Sequence, residues 1–189
     1  MTLAVSPPLV FGGLENCGYA SVDPTDPSRA WVLCSGARFT SSGRLATEQD
    51  RRASAGIVAL SMDASGGLAE VHRFAPGPTA PVPSNGLIVL GGGRALYVAW
   101  GSSDPFTPDR LVDVDGSGTA RIVYTAHGAF VLGEGMIAQG GSAALVPDAQ
   151  ASAIICLWNG TAEGPSVVLD TMPITDCTGL PPRMIRPLR

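Results

Sequence analysis

Residues 84–101 read Ser84-Asn-Gly-Leu-Ile-Val-Leu-Gly-Gly-Gly-Arg-Ala-Leu-Tyr-Val-Ala-Trp100-Gly. Two apolar runs of strand length flank three consecutive glycines, residues that accept positive φ at little steric cost, so the stretch predicts a β-hairpin. The plan recurs on either side. Upstream, Glu15-Asn-Cys-Gly-Tyr-Ala-Ser-Val-Asp-Pro-Thr-Asp-Pro-Ser-Arg-Ala-Trp-Val-Leu-Cys34-Ser-Gly turns on an Asp/Pro cluster. Downstream, Gly133-Glu-Gly-Met-Ile-Ala-Gln-Gly-Gly-Ser-Ala-Ala-Leu-Val-Pro147 turns on Gly-Gly.

Each unit is followed by a second hairpin, at 56–62 with 68–74, at 111–114 with 119–125, and at 153–158 with 166–170. The turns Asp63-Ala-Ser-Gly-Gly67, Asp115-Gly-Ser-Gly118 and Asn159-Gly-Thr-Ala-Glu-Gly164 open with Asp or Asn and soon supply Gly. These residues tolerate the positive φ of hairpin turns. The spacing is 52 residues from Asp63 to Asp115 and 44 from Asp115 to Asn159, the period of a four-stranded propeller blade.

The expected fold is therefore all-β and propeller-like, built from four-stranded antiparallel blades in one domain over residues 1–189. Repeat units fall at about 14–76, 83–127 and 133–171, with a partial unit at 175–189. Residues 37–55 read as an inserted charged loop with room for a helical turn and no part in the core. Three complete blades are fewer than a closed propeller needs. Either residues 3–5 and 9–11 complete a fourth blade with the C-terminal strand, or the chain forms part of a larger ring, as in a homo-oligomer. A sandwich of short strands competes but leaves the repeat unexplained.

Composition agrees with many short strands and tight turns: 24 Gly and 16 Pro in 189 residues, with 45% apolar and 15% charged. A net charge of −4 provides no basic footprint for nucleic acid or an anionic membrane. All twelve basic residues are Arg, which reads as compositional bias. No apolar run approaches the ~20 residues of a membrane span. Pro7 and Pro8 interrupt the apolar start and no basic residue precedes Arg29, so no secretory leader is read. Cys17, Cys34, Cys156 and Cys177 lack metal-site spacing. Oxidation would pair Cys17 with Cys34 and Cys156 with Cys177 and suit an extracytoplasmic origin; four buried thiols is the other reading.

At residues 83–98, Pro-Ser-Asn-Gly followed by a Gly turn and Leu-Tyr-Val, the chain resembles blades of the gluconolactonase/regucalcin-like and NHL-type propellers. Glu134-Gly-Met-Ile and Asp176-Cys-Thr stand where further blades open. The resemblance implies an oxygen-ligand site for Ca²⁺ or Mg²⁺ in the central channel, carried over to Asn85 and Glu134, and more weakly to Asn16 (or Glu15) and Asp176. It departs from that pattern at Trp100, where a polar residue is usual, and in lacking a Glu-Gly-Pro opening in the first unit.

Other motifs reduce to structure. An EF-hand loop starting at Asp113 would need Glu where Tyr124 stands, so Asp113-Val-Asp115-Gly-Ser-Gly118 reads as a hairpin turn. The Asn159-Gly-Thr161 sequon is explained by its turn. Gly91-Gly-Gly93 precedes a strand, which rules out a phosphate cradle. No Gly-x-Ser-x-Gly or His-Glu-x-x-His occurs, and His72 and His127 fall at outer strands. Trp31, Trp100 and Trp158, with Tyr19, Tyr97 and Tyr124, read as packing between blades. With no catalytic constellation, the expected function is a non-catalytic binding or scaffolding module for a protein or carbohydrate partner. The alternative is a partial or degenerate metal-dependent lactonase-type hydrolase with its site at the channel mouth.

Overall fold

Alternating apolar residues sort to opposite faces of a strand, and here they build three four-stranded antiparallel sheets. The computed structural model describes residues 8–138, 143–158 and 169–173. The first sheet runs β1 (Cys17–Asp23), β2 (Asp26–Ser35), β3 (Ala55–Met62) and β4 (Leu68–Phe74) in chain order. The second contains β5 (Asn85–Gly91) and β6 (Arg94–Ala99). After a two-stranded excursion of β7 (Ser102–Ser103) and β8 (Phe106–Thr107), it is completed by β9 (Arg110–Val114) and β10 (Ala120–Thr125). The third runs β11 (Met136–Ile137), β12 (Ala143–Asp148), β13 (Ala153–Trp158) and β14 (Leu169–Pro173). Among the described residues these sheets do not close into a ring or barrel. Residues 9–11, expected as a strand, form none; residues 3–5 and 175–189 lie outside the described residues.

The sheets stack face to face, with the second in the middle. On β5, β6 and β9, Val89, Ala95, Tyr97, Val112 and Val114 face Trp31, Leu33, Ile57, Ala59 and Phe74 of the first sheet. The intervening residues Ile88, Leu90, Leu96, Val98 and Leu111 face Ala144, Val146, Ile155 and Leu157 of the third. Burial on both faces explains why 86–99 reads as nearly continuous apolar sequence rather than as alternation. Each fully buried large aliphatic contributes about 1.5–3 kcal/mol. Trp31 stacks on Phe74 at a centroid distance of 5.4 Å and closes the first interface.

The Asp-led turns work by one device. Asp63 Oδ1 accepts from the N–H and hydroxyl of Ser65 and from Gly67 N–H; Asp115 Oδ1 does the same for Ser117 and Thr119. These bonds stabilise the carboxylates and hold both below the usual Asp pKa. Residues 159–164 lie outside the described residues. The β5–β6 turn instead uses Gly91, Gly92 and Gly93 at φ 87°, 61° and 76°, a run that side chains would strain.

The inserted segment 37–55 is more than a solvated loop. It holds α1 (Glu48–Arg52), with a capping box between Thr47 and Asp50. Glu48 pairs with Arg52 and with Arg110 of β9, each at 3.2 Å. Arg52 donates to the carbonyls of Gly77 and Ala80, and Arg51 to Ser84 Oγ. The insertion thus ties the first sheet to the chain entering the second.

Two buried carboxylates fix the connections at the same end. Asp109, 0% exposed, accepts from Gly101 and Phe130 N–H at Oδ1 and from Val131 and Leu132 N–H at Oδ2, at 2.7–2.9 Å. Asp148 accepts from the Tyr124 hydroxyl at 2.9 Å and from Gln150 and Ala151 N–H. Burial, then the Asp148 carboxylate, pushes the Tyr124 phenol up to about 12. A raised phenol favours its neutral form in the fold. The associated stability is complete below the unfolded value near ~10 and is lost as pH rises toward the folded one. Titration of tyrosinate absorbance, differenced against Tyr124→Phe, is expected to place this group two units above an ordinary tyrosine. Titration at the ordinary value would refute the buried pairing.

Cys17 and Cys34 occupy a cross-strand pair of β1 and β2 and form a disulfide, one of the two bridges expected on oxidation. Cys177 lies outside the described residues. The bridge closes a loop of sequence separation 17, for which the chain-entropy model gives about 3 kcal/mol. Replacing both cysteines with serine should lower unfolding stability by that amount in denaturant titration; a change within about 0.5 kcal/mol, the size of an ordinary surface substitution, would contradict it.

Candidate functional site

The first strand of each unit lies at an edge of its sheet, and β1, β5 and β11 adjoin one another with β5 central. Together they line an open trough of about 500 Å³. In an edge strand every second N–H and C=O points away from the ladder, so main-chain polar groups face the trough. Its side-chain chemistry comes from Tyr19 and Ser21 of β1 and from Glu134, just before β11, with Met136 and Leu87 supplying apolar surface.

Tyr19 and Glu134 line the same trough, near enough for the carboxylate to act on the phenol, which is oriented as its donor. Burial first, then the neighbouring Glu134 charge and the pull of its carboxylate on the phenol proton, raise the Tyr19 phenol above its ordinary value. Tyr19 therefore remains a donor at neutral pH. Glu134 is the one charged side chain in the described lining, and no Arg or His belongs to it.

Glycines set the position of Glu134. Gly86 has φ +53°, and a Cβ there would stand 3.6 Å from Glu134 Cα, so β5 passes close beside residue 134. A Cβ on Gly135 would meet the Leu145 carbonyl at 2.4 Å and Ile88 Cδ1 at 2.6 Å. Only glycine lets the chain turn there into β11 against β12.

The four residues expected at the channel mouth fare differently. Glu134 lines the trough. Asn85 opens β5 but is buried, and its Oδ1 has no hydrogen-bond partner among the described residues. Asn16, at φ +53°, turns its amide to Ser35 Oγ within the first sheet and is not in the trough lining. Asp176 lies outside the described residues, and Glu15 is exposed outside the lining. No group of three or more His, Cys, Asp or Glu side chains gathers with metal-site geometry among the described residues. Tyr19, expected in packing between blades, does pack against the cluster between the first and second sheets, and it also lines the trough, a place its alternation with Ser21 on an inner strand could have signalled.

No protein-family model matches the chain, and no curated protein matches it. Among solved structures, the chain is similar to a protein assigned as a 6-phosphogluconolactonase from Bacteroides uniformis. That match has TM-score 0.52 and 14% identity, over 88% of this chain and 46% of that one. A second protein so assigned, from Bacteroides fragilis, gives TM-score 0.48 and 13% identity over 82% and 37%. A luciferin-regenerating enzyme gives 0.43 and 16% over 84% and 46%. The chain spans less than half the length of each. At such identity the first of these shows a shared fold.

These results correct the resemblance read from residues 83–98. The gluconolactonase/regucalcin-like and NHL-type assignment does not stand, because no family model matches and the shared fold is with a protein assigned otherwise. The physical reason is that an Asn-Gly opening, a Gly turn and a Leu-Tyr-Val strand are what any stacked four-stranded sheet requires at that place.

Proposed function

We propose that the trough hydrolyses lactones, and that its substrates are neutral rather than phosphorylated. The observation that carries this reading is the Tyr19–Glu134 pair, a hydroxyl donor on β1 beside a carboxylate at the entry to β11, both lining the trough. Opening a cyclic ester requires a base to take a proton from water as it attacks the carbonyl. It also requires donors for the oxygen that gains charge. Glu134 suits the first task. The edge N–H groups of the inner strands suit the second, and Tyr19 holds the carboxylate in place.

The neighbour from Bacteroides uniformis assigned as a 6-phosphogluconolactonase, whose fold the chain shares, agrees with this reaction class. A phosphorylated ligand, however, is served by Arg or Lys at its phosphate. The described lining holds neither, and Glu134 would repel a dianion. The test is initial rates of hydrolysis of gluconolactone and of its 6-phosphate. A specificity constant at least about tenfold higher for the neutral lactone is expected, equal to about 1.4 kcal/mol of transition-state discrimination. No turnover above the buffer rate with either would overturn the activity; preference for the phosphate would overturn the substrate class.

Glu134 and the Asn85 Oδ1 are oxygen donors of the kind Ca²⁺ or Mg²⁺ prefers, and calorimetric titration of chelator-treated protein tests whether they hold one. Two donors fall well short of the six to eight oxygens of a Ca²⁺ shell, and no step of the proposed hydrolysis is assigned to a cation.

A second reading, a module binding a protein or carbohydrate partner, is favoured by a different surface. Phe39, Leu45, Phe106 and Phe130 are exposed on connections that leave the sheets at the end where β1 and β5 begin. Saturable binding of such a partner without lactone turnover would favour this reading instead.

A further inference from the structure

The strong bases of this chain are all arginines, and most find a counter-charge. Arg29, Arg44, Arg73, Arg94 and Arg121 each reach a carboxylate at 2.6–3.5 Å. Arg38 lies over the Phe39 ring. Where the insertion meets the second sheet the charges do not balance. Arg51 and Arg52 of α1 and Arg110 of β9 gather around the single carboxylate of Glu48. Arg52 and Arg110 each reach it at 3.2 Å, with side chains only 16% and 22% exposed. Arg51 is near enough for Glu48 to act on it, but pairs with no carboxylate among the described residues. The acids next along the chain are already taken: Asp50 by Arg44 and the Thr47 cap, Asp109 by four backbone N–H groups. Three guanidiniums and one carboxylate leave a surplus of two positive charges.

These side chains are held in place, unlike arginines that wave in solvent. Arg52 donates to the carbonyls of Gly77 and Ala80, and Arg51 Nη1 to Ser84 Oγ at 2.9 Å. Their donors are far from used up. A guanidinium carries five N–H groups in a planar fork. Arg51 spends one on Ser84 and Arg110 one on Glu48. Arg52 Nε and Arg110 Nε are buried with no acceptor among the described residues. Burial pulls the Arg51 guanidinium below its ordinary value, and the Glu48 charge offsets only part of this. A cation taken out of water without a partner is costly, so the cluster is arranged for acceptors that the described chain does not supply.

We propose that Arg51, Arg52 and Arg110 form a binding site for a phosphoryl group, carried by free phosphate or by a small phosphate ester. A phosphoryl group bears about −1.5 to −2 charge at neutral pH and three strong acceptor oxygens. That matches the surplus of two, whereas a carboxylate would leave one positive charge unpaired. Arginine forks suit its oxygens. A bound phosphoryl group joins Arg51 of the insertion to Arg110 of β9 and so adds a second tie between the first and second sheets, beside Glu48. None of the three arginines lines the trough, and the proposal does not depend on the lactone reading.

The experiment is calorimetric titration of the full chain with inorganic phosphate, methyl phosphate and acetate at constant ionic strength. A pH of about 8 keeps the phosphoryl probes dianionic, well above their second pKa of about 6. Saturable binding of a phosphoryl probe, at least about tenfold tighter than acetate, is expected, and the tighter of the two probes identifies the source as free ion or ester. Arg51→Gln and Arg110→Gln should each weaken it about tenfold or more, the loss of a charge-assisted hydrogen bond. Arg121→Gln, at the opposite end of the second sheet, should not. The bound probe should also raise the urea midpoint of the parent and leave that of Arg51→Gln unmoved, because it binds only the folded chain. No saturable binding of either phosphoryl probe, acetate bound as tightly, or full affinity in Arg51→Gln would each overturn the proposal. If Arg110→Gln, which also weakens the hold on Glu48, fails to fold by circular dichroism, Arg51→Gln decides alone.

Discussion

Replacing Asp109 with alanine is expected to cost about 4 kcal/mol of unfolding free energy, the largest single-residue effect on stability outside the apolar core. Its carboxylate is 0% exposed and accepts four backbone N–H bonds, two at each oxygen. Hydrogen bonds to a charged group contribute about 1.5–3 kcal/mol each, and a buried donor left without a partner costs about 1–3. The four do not add fully, because residue 101 and residues 130–132 belong to connections that can shift toward water. The sum therefore falls to the range of about 3–5 kcal/mol seen when a buried charged network loses a partner. Asp109→Asn is expected to be nearly as damaging. An amide offers one oxygen, so one pair of N–H groups would face an NH₂. Urea denaturation of both variants is the measurement, and a loss below about 1 kcal/mol for alanine would show that water replaces the carboxylate. Phe130, at φ 59°, depends on the same bond. A bulky residue in the left-handed region is costly unless its surroundings hold it there.

Glu134→Gln is expected to lower the specificity constant for neutral lactones at least about a hundredfold, or about 2.7 kcal/mol of transition-state stabilisation at 1.36 per tenfold. The amide is nearly isosteric with the carboxylate and cannot take a proton from water. Loss of the base thus separates from loss of shape. Tyr19→Phe should cost less, about tenfold, because its hydroxyl acts on the position of Glu134 rather than on substrate. Circular dichroism and urea midpoints of both variants should match the parent, since Glu134 lines an open trough and the Tyr19 ring, which packs against the cluster between the first and second sheets, is kept as phenylalanine. Glutamine retaining more than a tenth of the parent activity would remove Glu134 from the chemistry.

Much of the fold was legible because hairpins are local. The pairs 68–74 with 56–62 and 119–125 with 111–114 follow from Asp-led turns whose side chains organise their own backbone. The insertion was misjudged for the opposite reason. The partners of Glu48, Arg51 and Arg52 lie on residues 77–84 and 110, and no local pattern announces contacts so distant in sequence. The candidate site was half legible. Glu134 stands out as an acidic residue between two glycines ahead of an apolar strand. Tyr19 does not, since an aromatic beside Gly and Ala reads equally as core. Asn16 misleads because its side chain serves Ser35, an outcome decided by a left-handed backbone that the residue type permits but does not announce.

The middle position of the second sheet has a consequence for how the molecule loosens. Among the described residues, the apolar faces of each sheet pack only against the sheet before and the sheet after, so cohesion is distributed as in a one-dimensional chain of couplings. The second sheet has two couplings within the described stack; the first and third have one apiece. Fluctuations short of global unfolding then begin at the ends and spare the centre. Tyr19 is carried by the first sheet and Glu134 by the entry to the third, while β5 between them belongs to the protected one. Fraying at either end therefore parts the phenol from the carboxylate while the core of the molecule stays folded, and whatever clamps the ends also holds the pair together.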